Sequence, residues 1–213
     1  MELTKYTHAC VRFDDGDRAL VIDPGAFSEL DAALDGANGI LITHEHVDHI
    51  DTDRVMQALR ADPSLRLWGP VSVVSTLAEF GEQVQAVSAG DSFTAEGFRI
   101  STYGGQHAVI HPSIPVIENI GYLVEDRIYH PGDSFAVPPV GVKTLLLPSN
   151  APWSKVSEVI DFAVSVRAPR TFQIHDSLMT PVATAIVEGH LSRITAPHGV
   201  NFQHLNSGDT GTV

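Results

Sequence analysis

The order of strand-like and helix-like segments in this chain predicts an α/β fold, a sandwich of two sheets with helices on the outer faces. Three observations carry that reading. Short alternating apolar runs are joined by acidic turns in two separate stretches, helical patterns follow strands in both halves, and the two halves resemble each other in this order. The composition, 43% apolar and 18% charged over 213 residues, suits one globular domain spanning 1–213, with no repeat and no linker-like run.

Each element follows from local pattern. ACVRF and RALVID flank Asp15-Gly16 and read as a hairpin. A helix is expected from Ser28 to Leu34, with Ser28 as its cap, then a buried strand at Ile40 to Thr43. Val55, Met56 and Leu59 give helical spacing to Asp51–Ala61, followed by the strand RLWG and a helix from Val71 to Phe80. The middle is β-rich: VQAV, then SFTAEGFRISTYGG and NIGYLVEDRIYHPGD, each of the last two bent at an acidic turn. After it come strand TLLLP, a helix from Lys155 to Val166, strand TFQIH, a helix from Pro181 to Leu191 and a last strand near Phe202.

Charge and cysteine content narrow the function. Thirteen basic against 26 acidic side chains give a net charge of -13, so a nucleic-acid partner is not expected. No apolar run approaches the roughly 20 residues of a membrane span, so no membrane partner is expected either. The opening residues lack the apolar core of a signal peptide, and Cys10 has no partner for a disulfide, which together make a cytoplasmic location the expectation. Cys10, between apolar neighbours in a hairpin, reads as a buried, inert thiol.

Histidine stands out, with 11 in the chain. After the strand GILIT comes HEHVDHID, in which His44, His46, Asp48 and His49 fall within six residues. Such a His-x-His-x-Asp-His match is expected by chance only about 0.002 times in a chain of this composition. Residues two apart in an extended segment face the same side, so His44 and His46 can grip one ion while Asp48 and His49 turn toward a second. Carboxylate oxygen beside imidazole nitrogen suits zinc, manganese or iron. Two such sites need more donors than one loop supplies. His107 after STYGGQ, Asp133 closing HPGD and His175 after TFQI stand at the ends of expected strands, where sites are commonly built.

With these pieces in place, THEHVDHID, GGQH, HPGDS, QIHD and the preceding VIDPG together resemble the metallo-β-lactamase superfamily, in order and over residues 3 to 205. The opening YTHACVRF resembles the small branch that includes L-ascorbate-6-phosphate lactonase-like proteins, with Thr7 where glycine is usual. The resemblance implies an αβ/βα four-layer sandwich with two mixed sheets. It also implies two divalent metal ions, zinc first with manganese or iron as alternatives. His44, His46 and His107 would bind one, Asp48, His49 and His175 the other, and Asp133 would bridge them, with Asp23 orienting the loop or an imidazole through a hydrogen bond. The implied activity is metal-dependent hydrolysis of a small ester, lactone or phosphoester by a bridging hydroxide, with Asp48 as a catalytic proton acceptor. Antibiotic hydrolysis is not expected.

Several assignments stay open at this level. His8, His111, His130 and Asn150 are candidates for substrate binding or proton transfer, and Trp153 for packing or for lining the pocket. Lys143, Lys155 and Arg170 are the cations available to a phosphate group. An iron-bound redox or sulfur-metabolising protein, or a metal-binding module without turnover, are the alternatives to hydrolysis. The expected partner is a small-molecule substrate, and a homo-oligomer is left open.

Overall fold

Side chains alternate between the two faces of a strand, and here that alternation sorts them into separate cores. In the computed structural model, which describes residues Met1–Val213, Leu20 and Ile22 join an apolar cluster shared by both sheets, while Val21 joins another beneath helices. Leu41 against Ile40 and Ile42 repeats the division, as does Leu146 against Leu145 and Leu147. Three cores separate four layers: helices, sheet, sheet, helices.

The first sheet holds β1 (Glu2–Lys5), β2 (Val11–Asp15), β3 (Arg18–Ile22), β4 (Gly39–Leu41), β5 (Arg66–Gly69) and β6 (Val84–Ala86), with β14 (Thr210–Thr212) on the edge beside β1. The second holds β7 (Ser92–Ala95), β8 (Phe98–Gly104), β9 (Ile120–Val124), β10 (Ile128–His130), β11 (Thr144–Pro148), β12 (Arg170–Ile174) and β13 (Asn201–Gln203), in that spatial order. Both are mixed. Pairing is antiparallel from β14 through β3 and from β7 through β10, and parallel from β3 to β6 and from β10 to β13. Parallel neighbours need long crossovers, which α1 (Leu30–Leu34), α2 (Thr52–Ala61) and α3 (Val71–Thr76) supply in the first half and α4 (Val156–Val166) and α5 (Pro181–Thr195) in the second.

Four details depart from the sequence expectation. Ser28 does not cap α1, because its hydroxyl donates instead to the Thr7 carbonyl at 2.7 Å and Glu29 takes the cap position. The helix expected to reach Phe80 stops at Thr76 and continues as a 3₁₀ segment, Ala78–Gln83, broken by the left-handed Gly81. The α5 helix runs four residues past Leu191, since no glycine or proline lies between Leu191 and Pro197. The strands β1 and β14 were not anticipated, as Thr-Gly-Thr shows no apolar alternation.

Leu146, 1% exposed between the sheets, tests this layering. Leu146→Ala is expected to cost about 2–5 kcal/mol in urea unfolding, against less than about 0.5 kcal/mol for alanine at Val182, 70% exposed on α5.

Candidate metal centre

The crossovers deliver polar side chains to one end of the sandwich. The loop after β4 carries His44, His46, Asp48 and His49; His107 follows β8, Asp133 follows β10 and His175 follows β12. His8 arrives from the β1–β2 connection and Asp23 from the end of β3. The chain must bend sharply to do so. His8, Asp23 and His175 all hold left-handed backbone conformations, φ +68, +52 and +58, which cost a non-glycine residue about 1–3 kcal/mol. His175 N–H donates to the His8 carbonyl at 3.0 Å and ties two of these bends together.

Two glycines of the sequence motifs are required by close approach. A Cβ on Gly25 would lie 1.8 Å from the Asp48 carbonyl oxygen, and one on Gly132 would lie 2.3 Å from Asn119 Oδ1. Asn119 was not singled out in the sequence, yet it shapes the Asp133 loop. Its Oδ1 accepts from Asp133 N–H at 2.9 Å and its amide donates to the Pro131 carbonyl at 2.8 Å.

Two groups of potential donors result. His44, His46, His107 and Asp133 form one, and His8, Asp48, His49 and His175 the other, with one donor atom of each residue within 4.8 Å of the rest of its group. Asp133 faces both groups: its Oδ1 lies 3.0 Å from His49 Nε2, and its Oδ2 lies 3.3 Å from His107 Nε2 and 3.1 Å from His175 Nε2.

Neighbouring acceptors set the ring orientations. Asp23, fully buried, accepts from Thr43 N–H and Thr43 Oγ1–H at 2.7 Å each and from His49 Nδ1–H at 2.6 Å. With that hydroxyl proton committed, Thr43 Oγ1 accepts from His44 Nδ1–H at 3.0 Å. His107 Nδ1–H donates to the Ala108 carbonyl at 2.6 Å and His175 Nδ1–H to the Asn150 carbonyl at 2.7 Å. Four imidazoles therefore turn their Nε2 atoms into the same space. His49 Nε2, His107 Nε2, His175 Nε2 and Asp133 Oδ1 are buried there, and although they lie 3.0 to 3.3 Å from one another across Asp133, none of these contacts has hydrogen-bond geometry. Such orphaned atoms are rare in folded proteins, and here they converge.

The electrostatics separate the rings: His44 and His46 are kept neutral and His49 is kept charged. Burial pushes His44 well below the usual imidazole range, and burial with His107 nearby lowers His46. Burial also opposes charge on His49, but Asp133 and Asp23 on either side overcome it and hold its pKa well above that range. The Asp133 carboxyl is held well below its usual range despite burial, by His49, His107 and His175. Asp48 is lowered to about 2 against its own burial, through its bond with His8 and the nearby His49 and His175.

The remaining candidates fall into place around this centre. His8 joins it: Nε2 lies 3.1 Å from Asp48 Oδ2, and Nδ1 lies 2.8 Å from Ser177 Oγ. Trp153 also belongs to it, donating from Nε1 to Asp133 Oδ2 at 2.8 Å, whereas Asn150 contributes only its backbone carbonyl. His130 does not reach the cleft, because Nε2–H donates to the Ala9 carbonyl and Nδ1 accepts from Gly132 N–H, which uses both ring nitrogens. His111 is exposed and bonded to Ser113 within its own turn. Lys143 and Arg170 also fail as candidates. They sit at the starting ends of β11 and β12, where they line a cleft with Arg127, while the His and Asp cluster lies at the finishing ends. Lys155 is exposed at the start of α4, beside Glu158. Cys10 is buried, and its thiol is pushed far up by burial.

Two seven-stranded mixed sheets between helical layers, with imidazoles and carboxylates gathered at the strand ends, are the metallo-β-lactamase sandwich. A family model described as the β-lactamase superfamily domain matches residues 2–175, and the chain belongs to that superfamily. It is 40% identical over 210 residues to Protein Rv0786c of Mycobacterium tuberculosis, covering 96% of each. It is 27% identical over 138 residues to the UPF0173 metal-dependent hydrolase MJ1163 of Methanocaldococcus jannaschii, covering 62% of this chain and 60% of that one. Among solved structures it is similar to Igni18, a metallo hydrolase from Ignicoccus hospitalis, with a TM-score of 0.76 and 18% identity over 99% of this chain and 97% of the other.

Asp23 is the anchor of the histidine loop, so its removal leaves three buried donors unpaired. Asp23→Ala is expected to lower unfolding free energy by at least about 3 kcal/mol in urea melts. A change within about 0.5 kcal/mol would show that the loop holds itself.

Proposed function

We propose that each of the two groups holds one divalent cation and that the pair serves hydrolysis. The chain is a metal-dependent hydrolase of the metallo-β-lactamase superfamily. Convergence of orphaned Nε2 atoms on Asp133, which faces both groups, is the observation that carries the dinuclear reading. The two carboxylates that flank His49, Asp23 and Asp133, make a negative field that also favours a cation beside its ring. His44, His46 and His107 would hold one ion, Asp48, His49 and His175 the other, with Asp133 between them and His8 supporting Asp48.

Five imidazoles and two carboxylates form a donor set suited to zinc, with manganese and iron as alternatives. Bound there, divalent ions supply a water of lowered pKa and polarise the scissile carbonyl or phosphoryl group. The side chains do the rest. Asp48, the more exposed of the two carboxylates, stays ionised at neutral pH and accepts a hydrogen bond from the attacking water, fixing its direction. His8 Nε2 braces the other side of Asp48, and Trp153 Nε1 braces Asp133. The substrate is a small ester, lactone or phosphoester.

Chelation followed by dialysis is expected to lower hydrolysis of small ester, lactone and phosphodiester substrates at least about 100-fold, with recovery on adding zinc or manganese. His46→Ala, at a half-buried position, is expected to lose a similar factor while its urea midpoint stays near that of the parent. Turnover insensitive to chelator would contradict this function.

A further inference from the structure

The segment from Gln106 to Glu118 contains no helix or strand, yet it is closed at its base. Gly105 N–H donates to Asn119 O at 2.9 Å, His107 N–H to Ile117 O at 3.0 Å and Ala108 N–H to Asp133 O at 2.8 Å. A loop pinned in this way holds its own side chains in place. It presents Ile110, Ile114, Val116 and Ile117 to a cavity of about 210 Å³ whose lining also includes His46 and His107. Ile110, Ile114 and Val116 remain 39%, 46% and 46% exposed. Contiguous exposed apolar side chains beside a polar centre mark a binding surface.

We propose that this cavity is the subsite for an uncharged aliphatic acyl arm of the substrate, which makes the substrate a carbonyl ester or lactone rather than a phosphoester. The inference rests on the hydrolase reading and narrows it. Since His46 and His107 belong to both the cavity and the donor cluster, a group seated on the isoleucines is carried on the bond that reacts. The volume lies below the roughly 300–1,000 Å³ of a site for a whole ligand, so the cavity takes one arm of the molecule.

Charge argues the same way. None of the lining residues is Lys, Arg, Asp or Glu, in a chain of net charge -13. Lys5, near the His8 loop, is buried and committed to the Tyr6 carbonyl and Asp176, and Lys143 and Arg170 stand at the far end of their strands. A charged arm would meet no free side-chain cation in this cavity, whereas an acyl chain gains about fourfold in kcat/KM per buried methylene.

The test uses p-nitrophenyl acetate, butyrate and hexanoate beside p-nitrophenyl phosphate, with zinc- or manganese-loaded enzyme. The expected kcat/KM rises about fourfold per methylene from acetate to hexanoate, and the phosphate is the poorest substrate. In Ile114→Ser and Val116→Ser, at exposed positions that leave the fold intact, the hexanoate-to-acetate ratio is expected to fall at least tenfold. A second readout does not depend on turnover: hexanamide, and not acetamide, is expected to shift the methyl NMR signals of Ile110, Ile114 and Ile117. A flat chain-length series, preference for the phosphate, or unmoved isoleucine methyls would overturn the subsite and leave the hydrolase reading standing. Hexanamide shifts with no turnover of any ester would support the subsite and count against the hydrolase reading.

Discussion

The hydrogen bonds that tether the Nδ1 atoms of His44, His49, His107 and His175 are the constraint on which the rest depends. An imidazole has two nitrogens, and a buried acceptor on one decides what the other can do. Here the acceptors are a threonine hydroxyl, an aspartate and two backbone carbonyls, all in or beside loops that leave strand ends. Their combined effect is to keep four Nε2 atoms pointed inward, where protein hydrogen bonds fail to satisfy His49, His107 and His175. Leaving buried polar atoms unsatisfied costs stability, and a fold bears that cost where a ligand later offsets it.

The sandwich makes this arrangement affordable in backbone terms. Parallel pairing in both sheets brings the finishing ends of β4, β11 and β12 to one side, so loops remote in sequence meet without long excursions. The left-handed conformations of His8, Asp23 and His175 lie at these junctions, braced by hydrogen bonds rather than by glycine. Where space is limiting, glycine appears: Gly25 against the Asp48 carbonyl, and Gly132, itself at φ +62, against Asn119. The apolar loop from residue 106 to 118 is hung from the same framework, with Ala108 bonded to the Asp133 carbonyl.

Much of this was legible in the sequence, for identifiable reasons. Layering follows from alternation in runs such as Leu145–Leu146–Leu147, and the histidine loop announces itself because its donors lie within six residues. His8 was ambiguous because a histidine flanked by strand residues looks the same whether it packs or reaches a site. Thr43, Asn119 and Ser177 were silent, since nothing in their neighbourhoods distinguishes a residue that orients another. Lys143 and Arg170 could have been set aside: each immediately precedes or begins a strand whose other end carries the cluster, so strand direction alone separates them from it. Ser28 shows the opposite limit, a good cap residue whose hydroxyl serves a long-range contact with Thr7.

Anomalous diffraction at the zinc edge, from crystals of protein loaded with zinc and washed, tests the central claim most directly. The account predicts two peaks, one among His44, His46 and His107 and one among Asp48, His49 and His175, with Asp133 between them. A single peak away from Asp133, or none within this cluster, would contradict it.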